Sequence, residues 1–396
     1  MQLLDLPFWI RLIILCIIAY TSSAVVFIPI LRIALDKSIV DKPDQRKLQK
    51  NPVPVMGGIA VFFGIVVGLC FYKTFITYTS LFPVLGAMMI MLYFGAIDDC
   101  IGLKPITRLF LEMGVAILIC YGTKSCIDTF EGLLSINTLT LGVAVPLTVI
   151  TFLGIVNSIN MVDGVDGLAS SLSIFILGCF GIYFYLAHDY SYAALSAVSI
   201  GGTLPFMFHN LFGKESKMYL GDSGTMMLAT VLASMVVRAM SHDFEPERFH
   251  AMDFSRAGFV LALLSMPVAD TLRLIAVRLY NHQSPFKPDR KHFHHLLNDM
   301  NMSNVAVCLT EFVLTALIIG VLFLSWHLGA STNVQVASVI VAGMVCNWLP
   351  ALLLSRCLKV KGRSYEKLSG LFAGTHIENR PFWIKVQKLV DKRLLS

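Results

Sequence analysis

A water-soluble chain of 396 residues would ordinarily divide into two or three domains, but this one is 56% hydrophobic and 14% charged, with mean hydropathy +0.73, and reads throughout as successive membrane spans. Its nine scattered cysteines have neither metal-ligand spacing nor an even framework, which argues against a zinc or disulfide-built fold. The net charge is +6, and its placement matters more than its size.

Apolar segments near the ~20 residues that cross a bilayer recur at roughly 9–34, 56–72, 80–97, 106–122, 143–157, 167–187, 192–209, 223–241, 257–280, 305–327 and 334–355. These eleven spans predict an all-α polytopic membrane protein, with one transmembrane domain over 1–355 and a basic tail over 356–396. An odd count places the termini on opposite faces. The first span is too long for a signal-peptide core and lacks a small-residue cleavage site. Under this count the segments 35–55, 98–108, 209–222, 279–303 and the tail share one side, and they carry most of the Lys and Arg found outside the spans. The opposite loops hold only Lys73, Lys124, Arg248 and Arg256. The positive-inside rule makes the first set, and the C-terminus, cytoplasmic. Cys120 and Cys126 would pair only if their end faces an oxidising compartment.

In chain order, the first polar stretch is Asp41-Lys-Pro-Asp-Gln-Arg-Lys-Leu-Gln-Lys50, followed by Pro52-Val-Pro-Val-Met-Gly-Gly58. It reads either as a positive-inside anchor or as a cationic lip for a polyanion, with Arg46 and Lys47 as candidates. The third span ends in Asp98-Asp99. Adjacent carboxylates repel unless a cation lies between them, so the pair resembles a Mg²⁺ site as well as a solvated helix cap. Arg108, ten residues beyond Asp98, is placed to reach a phosphate from the same face. The loop 123–142 carries no legible chemistry.

The densest signal is Asn157-Ser-Ile-Asn-Met-Val-Asp-Gly-Val-Asp-Gly-Leu-Ala169. Asn157, Asn160, Asp163 and Asp166 fall within ten residues at the edge of a span, which is costly unless a ligand, metal or water compensates. Next comes Lys217-Met-Tyr-Leu-Gly-Asp-Ser-Gly-Thr225, where Asp222 lies between glycines at a helix start and Tyr219 offers a flat face to a planar base. Asp270 and Arg273 share a helix face and read as a buried structural ion pair. The cluster Ser284-Pro-Phe-Lys-Pro-Asp-Arg-Lys-His-Phe-His-His-Leu-Leu297 gathers Lys287, Arg290, Lys291, His292, His294 and His295. So many cations favour a phosphate over a metal. The tail alternates Trp, apolar residues and Lys/Arg in the pattern of an amphipathic helix lying on a membrane surface.

Six motifs in this order resemble the polyprenyl-phosphate N-acetylhexosamine-1-phosphate transferases, in the WecA/TagO-like branch. They are Asp-Lys-Pro-Asp-x-Arg-Lys at 41–47, Asp98-Asp99, the 157–167 block, Tyr-Leu-Gly-Asp at 219–222, Pro-x-x-Asp-Thr at 267–271 and Ser-Pro-Phe-x-Pro-Asp-Arg-x-His-x-His-His at 284–295. The resemblance implies a ten- or eleven-helix fold and transfer of a sugar 1-phosphate, most often GlcNAc-1-phosphate, from a UDP-N-acetylhexosamine to undecaprenyl phosphate. It implies Mg²⁺, or Mn²⁺ in its place, held by Asp222, Asn160 and Asp99. Asp98, Asp99, Asp163, Asp222, His292, His294 and His295 would be catalytic. Arg46, Lys47, Arg108, Asn157, Asp166, Tyr219, Lys287 and Arg290 would bind substrate, Asp166 reading the uracil with Tyr219 stacked on it. The same resemblance implies a bacterial inner-membrane protein, with a homodimer as an option and no nucleic-acid partner. Gln49 stands where many relatives have His. The His-His-His-Glu pattern of the muramoyl-pentapeptide branch is absent, which argues against a peptidoglycan precursor as substrate. A secondary transporter, the competing class, would put its charges near the bilayer midplane between inverted repeats, and neither is visible here.

Overall fold

Backbone surrounded by hydrocarbon must satisfy its own N–H and C=O groups, and a helix does this within one segment. The structure, a computed structural model, describes residues 6–41, 52–71, 81–244, 253–284, 290–378 and 380–392. In it the apolar runs fold as α1 (Phe8–Asp36), α2 (Gly57–Cys70), α3 (Leu81–Ile101), α4 (Pro105–Thr123), α5 (Leu141–Val162), α6 (Leu168–Leu186), α7 (Tyr190–Phe212) and α8 (Gly221–Ala239). Then follow α9 (Arg256–Leu263), α10 (Ser265–Tyr280), the short α11 (Phe293–Asp299), α12 (Asn304–His327) and α13 (Thr332–Val360). The tail forms α14 (Arg363–Ala373) and α15 (Pro381–Asp391). Two small antiparallel pairs complete the fold: β1 (Val40–Asp41) with β2 (Val53–Pro54), and β3 (Thr129–Leu133) with β4 (Ile136–Thr138).

A helix occupies each of the eleven predicted spans. Among the described residues, eight helices are long and apolar enough to cross a membrane, or nine if α9 and α10 count as one span. The two others are α2, with 14 residues, and α8, which carries Asp222 and Arg238 near its ends. The span predicted as continuous over 257–280 is broken: α9 and α10 meet at 73° around Leu264. Pro267 has no N–H to return to the carbonyl of Leu263, so the ladder lapses at that point. The last span runs on to Val360, past the predicted boundary at 355.

α8 is the axis of the bundle. Every residue from Ser223 to Val237 is buried, packed chiefly by α3, α5 and α2. At the α3–α8 crossing Gly95 abuts Ser223, and a Cβ there would overlap the Ser223 backbone. α1 lies against α7 and α2. Outward, Val25, Phe82, Phe110, Ile150 and Leu324 are exposed, an apolar belt suited to lipid.

At one end of the bundle the β3–β4 hairpin is pinned by Arg256, whose guanidinium is 2.6 Å from Glu131. Cys120 and Cys126 are buried there as free thiols, packed with Ala144. The ends of α1, α3, α5 and α7 and the starts of α2, α6, α8 and α12 gather at the opposite end, around a cleft.

Candidate active site

The cleft has a volume of about 1100 Å³. Its floor is built where α3 ends against the start of α8. The first N–H groups of a helix have no partner of their own, and the carboxylate of Asp99 supplies one. It accepts from Asp222 N–H at 2.8 Å and from Ser223 N–H at 3.1 Å. Gly221 permits this approach. Its φ is +74°, and a Cβ there would stand 2.5 Å from Asp99 Oδ2. Asp98 beside it accepts from Leu103 N–H at 2.6 Å.

Arg108, from α4, faces these carboxylates from behind. Its Nη1 lies 3.5 Å from Asp98 and 3.6 Å from Asp222, while Nε donates to Glu112 at 3.0 Å. Glu112 in turn accepts from Asn157 at 2.6 Å. Asn157 therefore supports Arg108 through Glu112 and is not itself on the cleft wall. Asn160 donates to Asp222 Oδ1 at 2.5 Å and to Thr225 at 2.7 Å.

Asp163 stands apart. Among the described residues its side chain has no hydrogen bond or ion pair. The protein mass around it, and then the charges of Asp222, Asp166 and Asp99, push its pKa well above the carboxylate range. Its side chain is nonetheless open to the cleft. A side chain open to solvent is desolvated less, which leaves the three neighbouring carboxylates as the main cause.

The wall opposite is the α7–α8 connection. Lys217 Nζ is 2.6 Å from Asp166 and 5.6 Å from the centre of the Tyr219 ring. Asn304, at the start of α12, donates to the same Asp166 oxygen at 2.7 Å. Tyr219 is zipped to the β2–α2 segment: its N–H donates to Pro54 O at 2.8 Å and its carbonyl accepts from Gly57 N–H at 3.0 Å. Asn210 ties the two motif blocks together, accepting from Gly167 N–H at 2.6 Å and donating to Met218 O at 2.9 Å.

The histidines form a graded set. His295 lines the cleft. His294 is fully buried behind it, ring centres 4.4 Å apart. Burial, then the proximity of His295 and His292, holds the His294 pKa well below its ordinary value, so it is neutral. His292 is fixed by Asp270 at 2.8 Å, and Asp270 also accepts from Phe293 N–H and pairs with Arg273 at 2.7 Å. The Asp270–Arg273 pair is thus the structural brace the sequence suggests. Gly164 turns beneath these rings, where a Cβ would lie 2.7 Å from His295 Cε1.

The structure brings Asp98, Asp99, Asn160, Asp163, Asp166, Tyr219, Asp222 and His295 to one cleft wall or another. It sets Arg108, Asn157, His292 and His294 behind that lining, and it pairs Arg290 with Asp299 at 2.9 Å. Arg46, Lys47 and Lys287 lie outside the described residues. Sequence reasoning gave no site role to Glu112, Lys217, Asn210 or Asn304. Glu112 was detectable, as an ionisable residue inside an apolar span four positions from Arg108.

The donors suit a hard divalent cation. Asp98, Asp99, Asp163 and Asp222 converge with Arg108 as the counter-charge, and Asp163 is left without a donor. Among the described residues no three His, Cys, Asp or Glu side chains are grouped closely enough to hold a metal alone.

A polytopic helical bundle with a carboxylate-lined cleft at one membrane end is the class this fold and site define, and residues 81–240 match the model of glycosyl transferase family 4. That segment spans α3 to α8 and holds every carboxylate of the cleft floor. Over 296 residues the chain is 29% identical to a probable undecaprenyl-phosphate N-acetylglucosaminyl 1-phosphate transferase of Bacillus subtilis (strain 168), covering 74% of this chain and 79% of that protein. It is 26% identical to the undecaprenyl-phosphate alpha-N-acetylglucosaminyl 1-phosphate transferases of Yersinia pestis, over 269 residues, and Escherichia coli (strain K12), over 272. Each of these two alignments covers 67% of this chain and 71% of the relative. The resemblance read from the motifs is borne out.

Proposed function

We propose that this protein transfers N-acetylglucosamine 1-phosphate from UDP-N-acetylglucosamine to undecaprenyl phosphate, releasing UMP, on the cytoplasmic side of a bacterial inner membrane. The observation that carries the reading is the meeting of four carboxylates and Arg108 at a cleft on the membrane end of the bundle, with Asp163 unpartnered among the described residues. The names of the relatives support N-acetylglucosamine 1-phosphate as the group moved and undecaprenyl phosphate as the acceptor, and the Lys/Arg distribution supports the orientation.

The chemistry follows from charge. A phosphate monoester has its second pKa near ~6, so the lipid phosphate is largely dianionic at neutral pH and needs little help from a base. Its oxygen attacks the β-phosphorus, the bond from that phosphorus to the bridging oxygen breaks, and UMP departs with the electron pair. The obstacle is bringing one anion onto another. Asp222 and Asp163 would hold Mg²⁺, with Asp99 fixing Asp222 from behind through its own N–H. When bound, the ion screens and aligns the phosphates. Arg108, steadied by Glu112, adds positive charge beside Asp98 and Asp222. Asp166, Lys217 and Tyr219 form the wall for the uracil. His295 faces the diphosphate, with His294 and His292 holding its place.

A phospho-muramoyl-pentapeptide reaction is disfavoured by the missing His-His-His-Glu pattern. A transporter is disfavoured because the polar groups gather at helix ends. The test is UMP release, and label transfer into lipid, by purified protein given Mg²⁺, undecaprenyl phosphate and each UDP-N-acetylhexosamine in turn. Release with UDP-N-acetylglucosamine is expected. No release with any donor would refute the reading.

A further inference from the structure

The wall that presents Lys217 and Tyr219 to the cleft is covered from behind by the C-terminal helix. Trp383 of α15 is buried, with its ring 4.7 Å from that of Phe212 at the end of α7. Two turns later Asp391 is 8% exposed. Its carboxylate accepts from Lys214 N–H at 3.2 Å, from Ser216 N–H at 3.0 Å and from Ser216 Oγ at 2.7 Å. Ser216 Oγ is also 2.9 Å from His209 Nδ1. One residue beyond Ser216 is Lys217, bonded to Asp166 inside the cleft. A carboxylate 175 residues downstream thus accepts the backbone N–H groups of the short loop that carries the uracil wall. The outer side of α15 exposes Phe382 and Leu389 among Lys385, Lys388 and Lys392, so the helix can rest on lipid while its inner side holds the loop. Earlier in the tail, Thr375 bonds Ser303 at 3.0 Å and His376 joins the cleft wall.

We propose that Asp391 is a positioning residue for the donor nucleotide: α15 braces the 213–217 loop and so sets where Lys217 and Tyr219 stand. This rests on the reading of the cleft as a UDP-sugar site. Asp391 and Ser216 are not themselves on the cleft lining, and they reach it through Lys217 and Tyr219, so the effect belongs to nucleotide binding rather than to the chemical step.

The test uses the full-length enzyme in lipid nanodiscs. Asp391→Asn removes the charge on which Lys214 N–H, Ser216 N–H and Ser216 Oγ converge and sets an NH₂ where Oδ2 lies 3.3 Å from Lys214 N, and it should raise the KM for UDP-N-acetylglucosamine about tenfold, as loss of charge-assisted hydrogen bonds does. kcat and the KM for undecaprenyl phosphate should stay within about twofold. Ser216→Ala, which removes one of the three contacts, should shift the same KM by less. In a double-mutant cycle Lys217→Ala and Asp391→Asn should be non-additive, because both act through one contact. Hydrogen exchange supplies a readout apart from activity: the amides of Lys214 and Ser216 should exchange faster in Asp391→Asn while α8 stays protected. An unchanged nucleotide KM, additive effects, or unchanged exchange at 213–217 would overturn the proposal. So would a general loss of stability that slows both substrates alike. Wild-type protein that turns over no UDP-sugar would instead defeat the functional reading, leaving the exchange experiment to judge the brace.

Discussion

Asp99 and Asp222 stand side by side but do different work, and substitution separates them. Both oxygens of Asp99 are occupied by the N–H groups that open α8, whereas Asp222 carries its charge into the cleft. Asp222→Asn should keep the fold and lose turnover, with higher Mg²⁺ restoring little. Asp99→Asn should lower thermal stability by about 1 kcal/mol as well, because a carboxamide presents one acceptor where two are used. Thermal unfolding in detergent, read beside a Mg²⁺ titration of activity, distinguishes the two. His294 gives a pH prediction. It is buried neutral, while in the unfolded chain it would take a proton near pH ~6.5. Below that pH the unfolded state binds the extra proton, so the stability His294 contributes falls as pH drops from 7.5 to 5.5. His294→Asn should flatten part of that slope in Tm measured against pH. At this scale the sequence was legible where polarity clashed with its surroundings, as at Asp98, Asp163 and Asp166. Lys217, Asn304 and Asp391 were not, because their roles depend on which distant element each one meets. A lysine in a basic loop looks like any other until Asp166 is seen 2.6 Å away.

Among the elements, α8 governs the site because its start carries Asp222 and its first N–H groups hold Asp99. The crossing with α3 sets that spacing. Gly95→Leu would drive a branched side chain into the Ser223 backbone and push α3 outward. Overpacking of this kind costs roughly 1–3 kcal/mol, and here it would also draw Asp99 off its N–H donors. The expected result is a lower Tm together with a loss of kcat larger than any change in nucleotide KM; an active enzyme of normal stability would mean the crossing is looser than described. Hydropathy located the helices well, since burial in lipid demands long apolar runs. It missed the 73° bend at Leu264, because a sum over composition is blind to one absent N–H at Pro267. It also did not show that α8 is enclosed by protein, since a sum over apolar content does not say which neighbours cover a helix.

For the whole molecule, the proposed reaction has two anions meet at the edge of a membrane, where the charge balance of the cleft would determine how they react. The cleft floor is rich in carboxylates, with Arg108 tied to Asp98, Asp222 and Glu112. Asp98 and Asp99 are committed to a backbone N–H, to Arg108 or to the start of α8, which leaves neither free to act as a nucleophile without dismantling the floor. Direct attack by the lipid phosphate requires no such disruption. The enzyme incubated with UDP-N-acetylglucosamine and Mg²⁺ but no lipid should therefore release no stoichiometric burst of UMP. Nor should it exchange labelled UMP into the UDP-sugar. Undecaprenyl phosphate carried through purification would imitate both signals, so its content is measured in the same preparation and removed by detergent exchange. Asp98→Asn should slow turnover without abolishing it, because Arg108 and Leu103 N–H lose a charged partner but the reacting groups remain. A two-step enzyme would behave otherwise: lipid-depleted protein would still exchange UMP, and mass spectrometry would find a phosphosugar ester on Asp98 or Asp99. That exchange, if seen after lipid removal, would replace direct displacement with a covalent route.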